Sequence, residues 1–312
     1  MPGRLDPGGG AAGNGSSPDH QPGPEGNSTA VGRLHGKQTR RIGRLTYETI
    51  LFEKKNHVAT IVLNRPHRMN AFDRQMGIEL KSAWEDVKAD DETWVVIVTA
   101  EGERAFCAGV DVTEVAALGG IATELHPRNL RITAHMNGVW KPVITAVNGL
   151  CIGGGLHFVA DSDIVICSEN ASFFDTHLRV GQVFAMEAVG LARRIPFEAV
   201  LRMMLLAGEE RIDAQRALQL GLVSEVVPLA NLRDRAEQLA AVITKNSPAT
   251  MMASKRAIWE GQERGLSEAL DNAIRAIEEH WRHPDYVEGP RAFAEKRTPK
   301  WTVTGETHQV DG

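Results

Sequence analysis

Two glycine-bearing segments hold the residues best suited to chemistry in this chain. The first is Phe106-Cys107-Ala108-Gly109-Val110-Asp111; the second runs from Asn148-Gly149 into the triplet Gly153-Gly154-Gly155. Each follows an apolar run of strand type, at residues 95–100 and 143–147, so each glycine turn falls at a strand end where backbone N–H groups can point into a cleft. Two such donors aimed at one point form an oxyanion hole. They stabilise the negative charge that an acyl oxygen gains when a proton leaves the adjacent carbon or a nucleophile adds. Histidine supplies acid and base near neutral pH, and His157 and His177 follow the triplet. Asp175, two residues before His177, shares a face with it in an extended segment. It either orients an imidazole, as a triad carboxylate does, or caps a turn. His157, His177 and Asp175 lack the local spacing of a metal site, so no metal is expected. Cys107 has no neighbouring base in sequence and reads as a small packing residue.

Short strands alternating with helices must position these groups. Residues 46–54 and 57–63 read as an opening hairpin about the polar turn Lys55-Asn56. Asp73 offers an N-cap for a helix to about residue 88, in which Met76, Leu80, Ala83, Trp84 and Val87 recur at helical spacing. A strand at 95–99, a helix at 127–139, a strand at 143–147, a short helix opened by the triplet, and strands at 164–167 and 171–173 follow. This alternation predicts an α/β core. From Glu187 onward the pattern is almost wholly helical, with segments at 200–206, 213–220, 229–245, 248–259, 267–281 and 290–296 and one strand at 223–227. Apolar stripes such as Leu266, Leu270, Ile274 and Ile277 need a cover, from the chain's own core or from another copy.

A chain of 312 residues, 42% hydrophobic and 24% charged, can bury a large core. Its net charge of -5 provides no attractive field for a phosphate backbone, so nucleic acid is not an expected partner. Cys107, Cys151 and Cys167 are odd in number and form no C-x-x-C pair, which argues against a disulfide framework and fits a reducing, cytoplasmic setting. Lys141, Asn148, His157 and Asp161 interrupt the most hydrophobic region, so no membrane association is expected. Residues 1–44 are rich in Gly, Pro, Ser and Asn and read as a disordered tail, because they bury too little to offset the entropy of ordering. Asp6, Asp19 and Glu25 set that tail apart from an amphipathic targeting helix.

From about residue 45 to about residue 300 the chain resembles the crotonase (enoyl-CoA hydratase/isomerase) superfamily. The resemblance rests on Leu63-Asn64-Arg65-Pro66 with Asn70-Ala71, the segment ending in Asp111, Lys141-Pro142-Val143 leading into Asn148-Gly149, and the glycine triplet. Residues 161–166, a helix ending in Gly221-Leu222-Val223, and Phe293-Ala294-Glu295-Lys296-Arg297 complete it in family order. It implies a spiral of ββα units over 45–245 and a helical oligomerisation region over 246–312, in a homotrimer or a dimer of trimers. It also implies a coenzyme A thioester substrate, with no permanently bound cofactor. The resemblance assigns the oxyanion donors to the amides of Val110 and Gly154 and brings Arg68, Met69, Ala71, Ala108, Asp111 and Lys296 to the substrate. Arg65, His67 and Arg68 form a positive cluster for its phosphates, and Thr113 stands where the better known hydratase has a lysine.

Hydratases of this family place two glutamates across the cleft; the matching positions here hold His157 and His177. The pair still offers an acid and a base when one ring is neutral and the other titrates. Glu187 lies where family members sometimes place a catalytic carboxylate, and a first-turn helical Glu is also favoured by the helix dipole. Three functions follow from the resemblance: an enoyl-CoA hydratase or hydratase/isomerase; a carbon–carbon hydrolase of β-diketones, similar to 6-oxocamphor hydrolase; and a non-catalytic acyl-CoA-binding relative.

Overall fold

The computed structural model describes residues 47–302; the tail at 1–44 and residues 303–312 of the C-terminal region lie outside the described residues. Strands β1 (Ile50–Lys55) and β2 (Val58–Leu63) pair antiparallel. Their turn is Asn56-His57, both at positive φ, as a two-residue hairpin turn requires. Helix α1 (Arg74–Ala89) starts at Asp73, whose side chain accepts the Met76 N–H at 2.9 Å. It buries Met76, Leu80, Ala83, Trp84 and Val87.

The chain then repeats one unit three times. The first comprises β3 (Val95–Ala100), β4 (Ala105–Cys107) and α2 (Val112–Leu118). The second comprises β5 (Val143–Val147), β6 (Leu150–Ile152) and α3 (Leu156–Ala160). The third comprises β7 (Ile164–Ser168), β8 (Ser172–Phe174) and α4 (Met186–Leu191). Helix α5 (Phe197–Leu206), β9 (Ile212–Asp213), α6 (Ala214–Leu220) and β10 (Glu225–Val227) complete the two sheets. One sheet has the order β1-β2-β3-β5-β7-β10 and the other β4-β6-β8-β9.

Each repeat thus gives its first strand to the larger sheet and its second to the smaller, which is the ββα spiral. The inner strands β3 and β5 are buried along their whole length, as strands covered on both faces are. In the smaller sheet β4, β6 and β8 are parallel neighbours, with Cys107 beside Cys151 and Ile152 beside Phe174. Residues 108–110, 153–155 and 175–177 therefore leave the sheet along one edge.

Helix α7 (Leu232–Ile243) covers the larger sheet; α8 (Pro248–Gly261), α9 (Leu266–His280) and α10 (Asp285–Ala294) follow. Asp163 ties α8 to the core, accepting from Lys255 Nζ at 2.7 Å and from Trp259 Nε1 at 3.2 Å. The α9 stripe of Leu266, Leu270, Ile274 and Ile277 is exposed, so the chain's own core does not cover it.

Two expectations change. Residues 127–139 form no helix beyond the short 3-10 turn His135–Asn137. Side chains occupy the carbonyls a helix would use: Asn137 donates to Arg131 and Thr133, and Trp84 to Ile132. Helix α2 was not foreseen. Asp111 caps it by accepting the Thr113 N–H at 3.0 Å, and the Asp111-x-x-Glu114 spacing is the sequence signal that marks its start.

Candidate active site

The segments leaving β4 and β6 touch. Gly109 has φ +84, and a methyl group placed on it would lie 2.9 Å from Gly154 N, so this position needs glycine twice over. A methyl group on Gly154 would meet Phe72 Cζ at 2.9 Å. The Phe72 backbone also clamps the first segment: its N–H donates to Gly109 O at 2.8 Å and its carbonyl accepts from Asp111 N at 2.9 Å. The intervening Val110 N–H has no backbone partner among the described residues. Gly154 is the second residue of the 3-10 turn Gly153–Gly155, whose first amides have no acceptor within the turn. Two unpartnered N–H groups in adjoining backbone are what an oxyanion hole is made of.

The acid and base groups gather beside it. Gly153 adjoins the His177 ring, since a methyl group there would lie 3.3 Å from Cε1. Asp175 is fully buried and engages His177 twice. Its Oδ1 lies 2.5 Å from His177 Nδ1, and its Oδ2 accepts the His177 N–H at 3.0 Å. Phe184 stacks on the same ring, with centroids 5.6 Å apart. Held on these sides, the imidazole presents Nε2 to Glu187 Oε1 at 4.0 Å. The same Oε1 lies 3.1 Å from His157 Nε2, so the carboxylate stands between the two rings.

Helix packing sets this arrangement. His157 and Glu187 each occupy the second position of α3 and α4. Three residues further on in both helices, a methyl group on Gly190 would lie 2.9 Å from Ala160 Cβ. The helices therefore run side by side in the same direction, and glycine at 190 permits their close approach.

Electrostatics distinguish the roles. The Asp175 hydrogen bond raises the His177 pKa; burial opposes it, the Glu187 charge assists, and the ring ends above the ordinary histidine value. Burial pushes the Glu187 carboxyl up, but the His157 hydrogen bond, with the charges of both histidines, holds it below the ordinary value. Glu187 is thus a carboxylate at neutral pH, while His177 gains proton affinity. Burial pushes the Cys107 thiol up to about 12, which removes it as a nucleophile. Among the described residues, no group of three or more His, Cys, Asp or Glu is placed to hold a metal ion.

The residues expected at coenzyme A are more dispersed. Met69 O accepts the Ala108 N–H at 3.1 Å, joining those two positions. Arg68 and Lys296 are exposed, and no ion pair among the described residues engages either. Lys296 follows α10, and no hydrogen bond joins it to the others. Arg65 departs from the expected phosphate cluster. Its half-buried guanidinium lies against Asp73 at 3.0 Å, Asp111 at 3.1 Å and the Ala71 carbonyl at 2.5 Å. The same pairing takes up the Asp111 carboxylate. Sequence reasoning missed Phe72, Phe184 and Gly190, which carry no chemical group and stand out only through what they touch.

Residues 53–304 match the family model for enoyl-CoA hydratase/isomerase. The (E)-benzylidenesuccinyl-CoA hydratase of Thauera aromatica is 35% identical over 258 residues, covering 80% of this chain and 97% of its own. The carnitinyl-CoA dehydratase of Proteus mirabilis is 34% identical over 263 residues, covering 79% and 95%. An enoyl-CoA hydratase/isomerase structure from Mycobacterium paratuberculosis superposes with a TM-score of 0.76 at 40% identity, covering 83% of this chain and all of its own. A spiral of this topology, with relatives at these identities, defines a crotonase-type protein. The chain belongs to the enoyl-CoA hydratase/isomerase family.

Proposed function

We propose that the protein is an acyl-CoA lyase that adds water to, or removes it from, the double bond of an enoyl thioester. The observation that carries this reading is the Glu187 carboxylate set between His157 and His177 beside the glycine hole. A gap of 4.0 Å between His177 Nε2 and Glu187 Oε1 is too long for a direct hydrogen bond. It is close to the spacing of about 4–4.6 Å that one bridging water needs.

In the hydration direction Glu187 takes a proton from that water as its oxygen bonds to the β-carbon. The electron pair of the double bond moves toward the thioester oxygen, where the N–H groups of Val110 and Gly154 stabilise the enolate. His177, oriented by Asp175, delivers a proton from Nε2 to the α-carbon, and elimination runs the same steps backward. His157 donates to Glu187 and keeps it ionised. Arg68 and Lys296 serve the phosphates of coenzyme A, with Met69, Ala71, Ala108 and Asp111 forming the wall behind it. No permanent cofactor is needed for these steps.

Assembly of identical copies into trimers or dimers of trimers, which covers the α9 stripe, belongs to the same reading. Three free, buried cysteines suit a cytoplasmic setting. Among the described residues no helix is long and apolar enough to cross a membrane. The test is turnover of short, long and aromatic enoyl-CoA thioesters by purified protein, followed as loss of conjugated-enoyl absorbance. Activity on at least one thioester that His177→Ala abolishes supports the reading; inertness across the panel refutes it.

A further inference from the structure

We infer that Arg65 is the positioning residue of the oxyanion hole, holding the Val110 amide in place through three anchors, two flanking Phe72 and one beside Val110. The inference rests on the hole described above and concerns how it is built. Arg65 lies in the Asn64-Arg65-Pro66 segment after β2, and its side chain is only 13% exposed.

One amino group of the guanidinium, Nη1, donates to Ala71 O at 2.5 Å; the other, Nη2, lies 3.0 Å from Asp73 Oδ2 and 3.1 Å from Asp111 Oδ2. Each partner adjoins the working backbone. Ala71 and Asp73 flank Phe72, whose main chain clamps Gly109 and Asp111 and whose ring closes on Gly154. Asp73 also caps α1 and Asp111 caps α2. One planar cation thus locks the loop after β2, the starts of two helices and the segment carrying Val110. The loop itself is pinned where Asn70 accepts the Arg65 N–H at 2.9 Å and donates to Ala105 O at 2.8 Å.

Charge adds a second contribution. Asp111 follows Val110 directly, so an uncompensated carboxylate there would oppose the negative charge that the hole must accept. Arg65 neutralises it at contact distance. A lysine would carry the charge but not the fork that spans a carbonyl and two carboxylates.

The experiment uses Arg65→Lys and the charge-balanced pair Arg65→Met with Asp111→Asn, each checked for wild-type circular dichroism. Two readouts are taken: the red shift of a bound aromatic enoyl-CoA, which reports polarisation of its carbonyl, and the split between kcat and KM. In Arg65→Lys the red shift shrinks and kcat falls about tenfold to a hundredfold, with KM within about threefold. The double variant, balanced in charge but lacking the fork, behaves the same way and decides the matter if Arg65→Lys does not fold. A red shift and kcat equal to wild type in a folded variant overturn the assignment of Arg65 alone. Absence of any red shift in the wild-type protein overturns the oxyanion hole, and this inference with it.

Discussion

Replacing Glu187 by Gln tests the acid and base assignment most directly. Glutamine matches the carboxylate in size and its amide oxygen can still accept from His157 Nε2, 3.1 Å from the present Oε1, so the fold should tolerate the change. What disappears is the base. General-base catalysis contributes roughly 10²–10⁴-fold, so kcat should drop by at least about 100-fold while KM stays within about threefold. A second effect separates this account from simple damage. Unit charges 4.0 Å apart interact by about 4 kcal/mol at an effective dielectric of about 20, and partial solvent access at His177 reduces that figure. The Glu187 charge raises the His177 pKa, so removing it lowers that pKa, although Asp175 still holds it up. Hydration needs His177 protonated, and the basic limb of the kcat profile should therefore move to lower pH. The assay is hydration of an aromatic enoyl-CoA from about pH 5 to pH 10, followed by absorbance. A variant with kcat within about threefold of wild type, or with an unmoved basic limb, would refute the placement of Glu187 as the base.

Gly190→Val places bulk where a single methyl group would already lie 2.9 Å from Ala160 Cβ, forcing α4 off α3 and separating Glu187 from His157. Overpacking of this kind costs about 1–3 kcal/mol, so the variant should melt several degrees lower and lose most of kcat; unchanged turnover by steady-state kinetics would contradict the helix-register argument. The His177 pKa is raised in the folded protein, so the Asp175–His177 pair stabilises fully below the unfolded histidine value of about 6.5 and loses that contribution as pH rises through the folded value. Thermal melts should accordingly show Asp175→Asn further below wild type at pH 6 than at pH 9, and a gap independent of pH would exclude a charge-based pairing. Charging the exposed α9 stripe with Ile274→Glu and Ile277→Glu should shift sedimentation from an assembly toward single chains. An unaltered sedimentation profile would remove that face from the interface.

The need for glycine at 109 and 154 was legible before the fold because it is local: a methyl group on Gly109 would lie 2.9 Å from Gly154 N, and one on Gly154 would lie 2.9 Å from Phe72 Cζ. The α/β alternation was legible for a similar reason, since buried parallel strands must be apolar throughout. Features that depend on two distant elements were not. Glu187 reads equally well as a first-turn residue favoured by the helix dipole, and nothing near it in sequence points to His157. Arg65 reads as part of a phosphate-binding cluster until the fold brings Asp73 and Asp111 to it. The stretch at 127–139 reads as helix until Asn137 and Trp84 claim its carbonyls.

The same contrast indicates which substitutions the site can absorb. The parallel register of β4, β6 and β8 fixes where residues 110, 154 and 177 emerge, whatever side chains they carry. Backbone amides at these positions therefore stay in place when the neighbouring side chains change. In the proposed mechanism the Glu187 carboxylate at the start of α4 is the base, provided α4 lies close enough to α3 for it to meet His157. Gly190 meets that condition, so the proposed chemistry depends on a residue with no side chain at all.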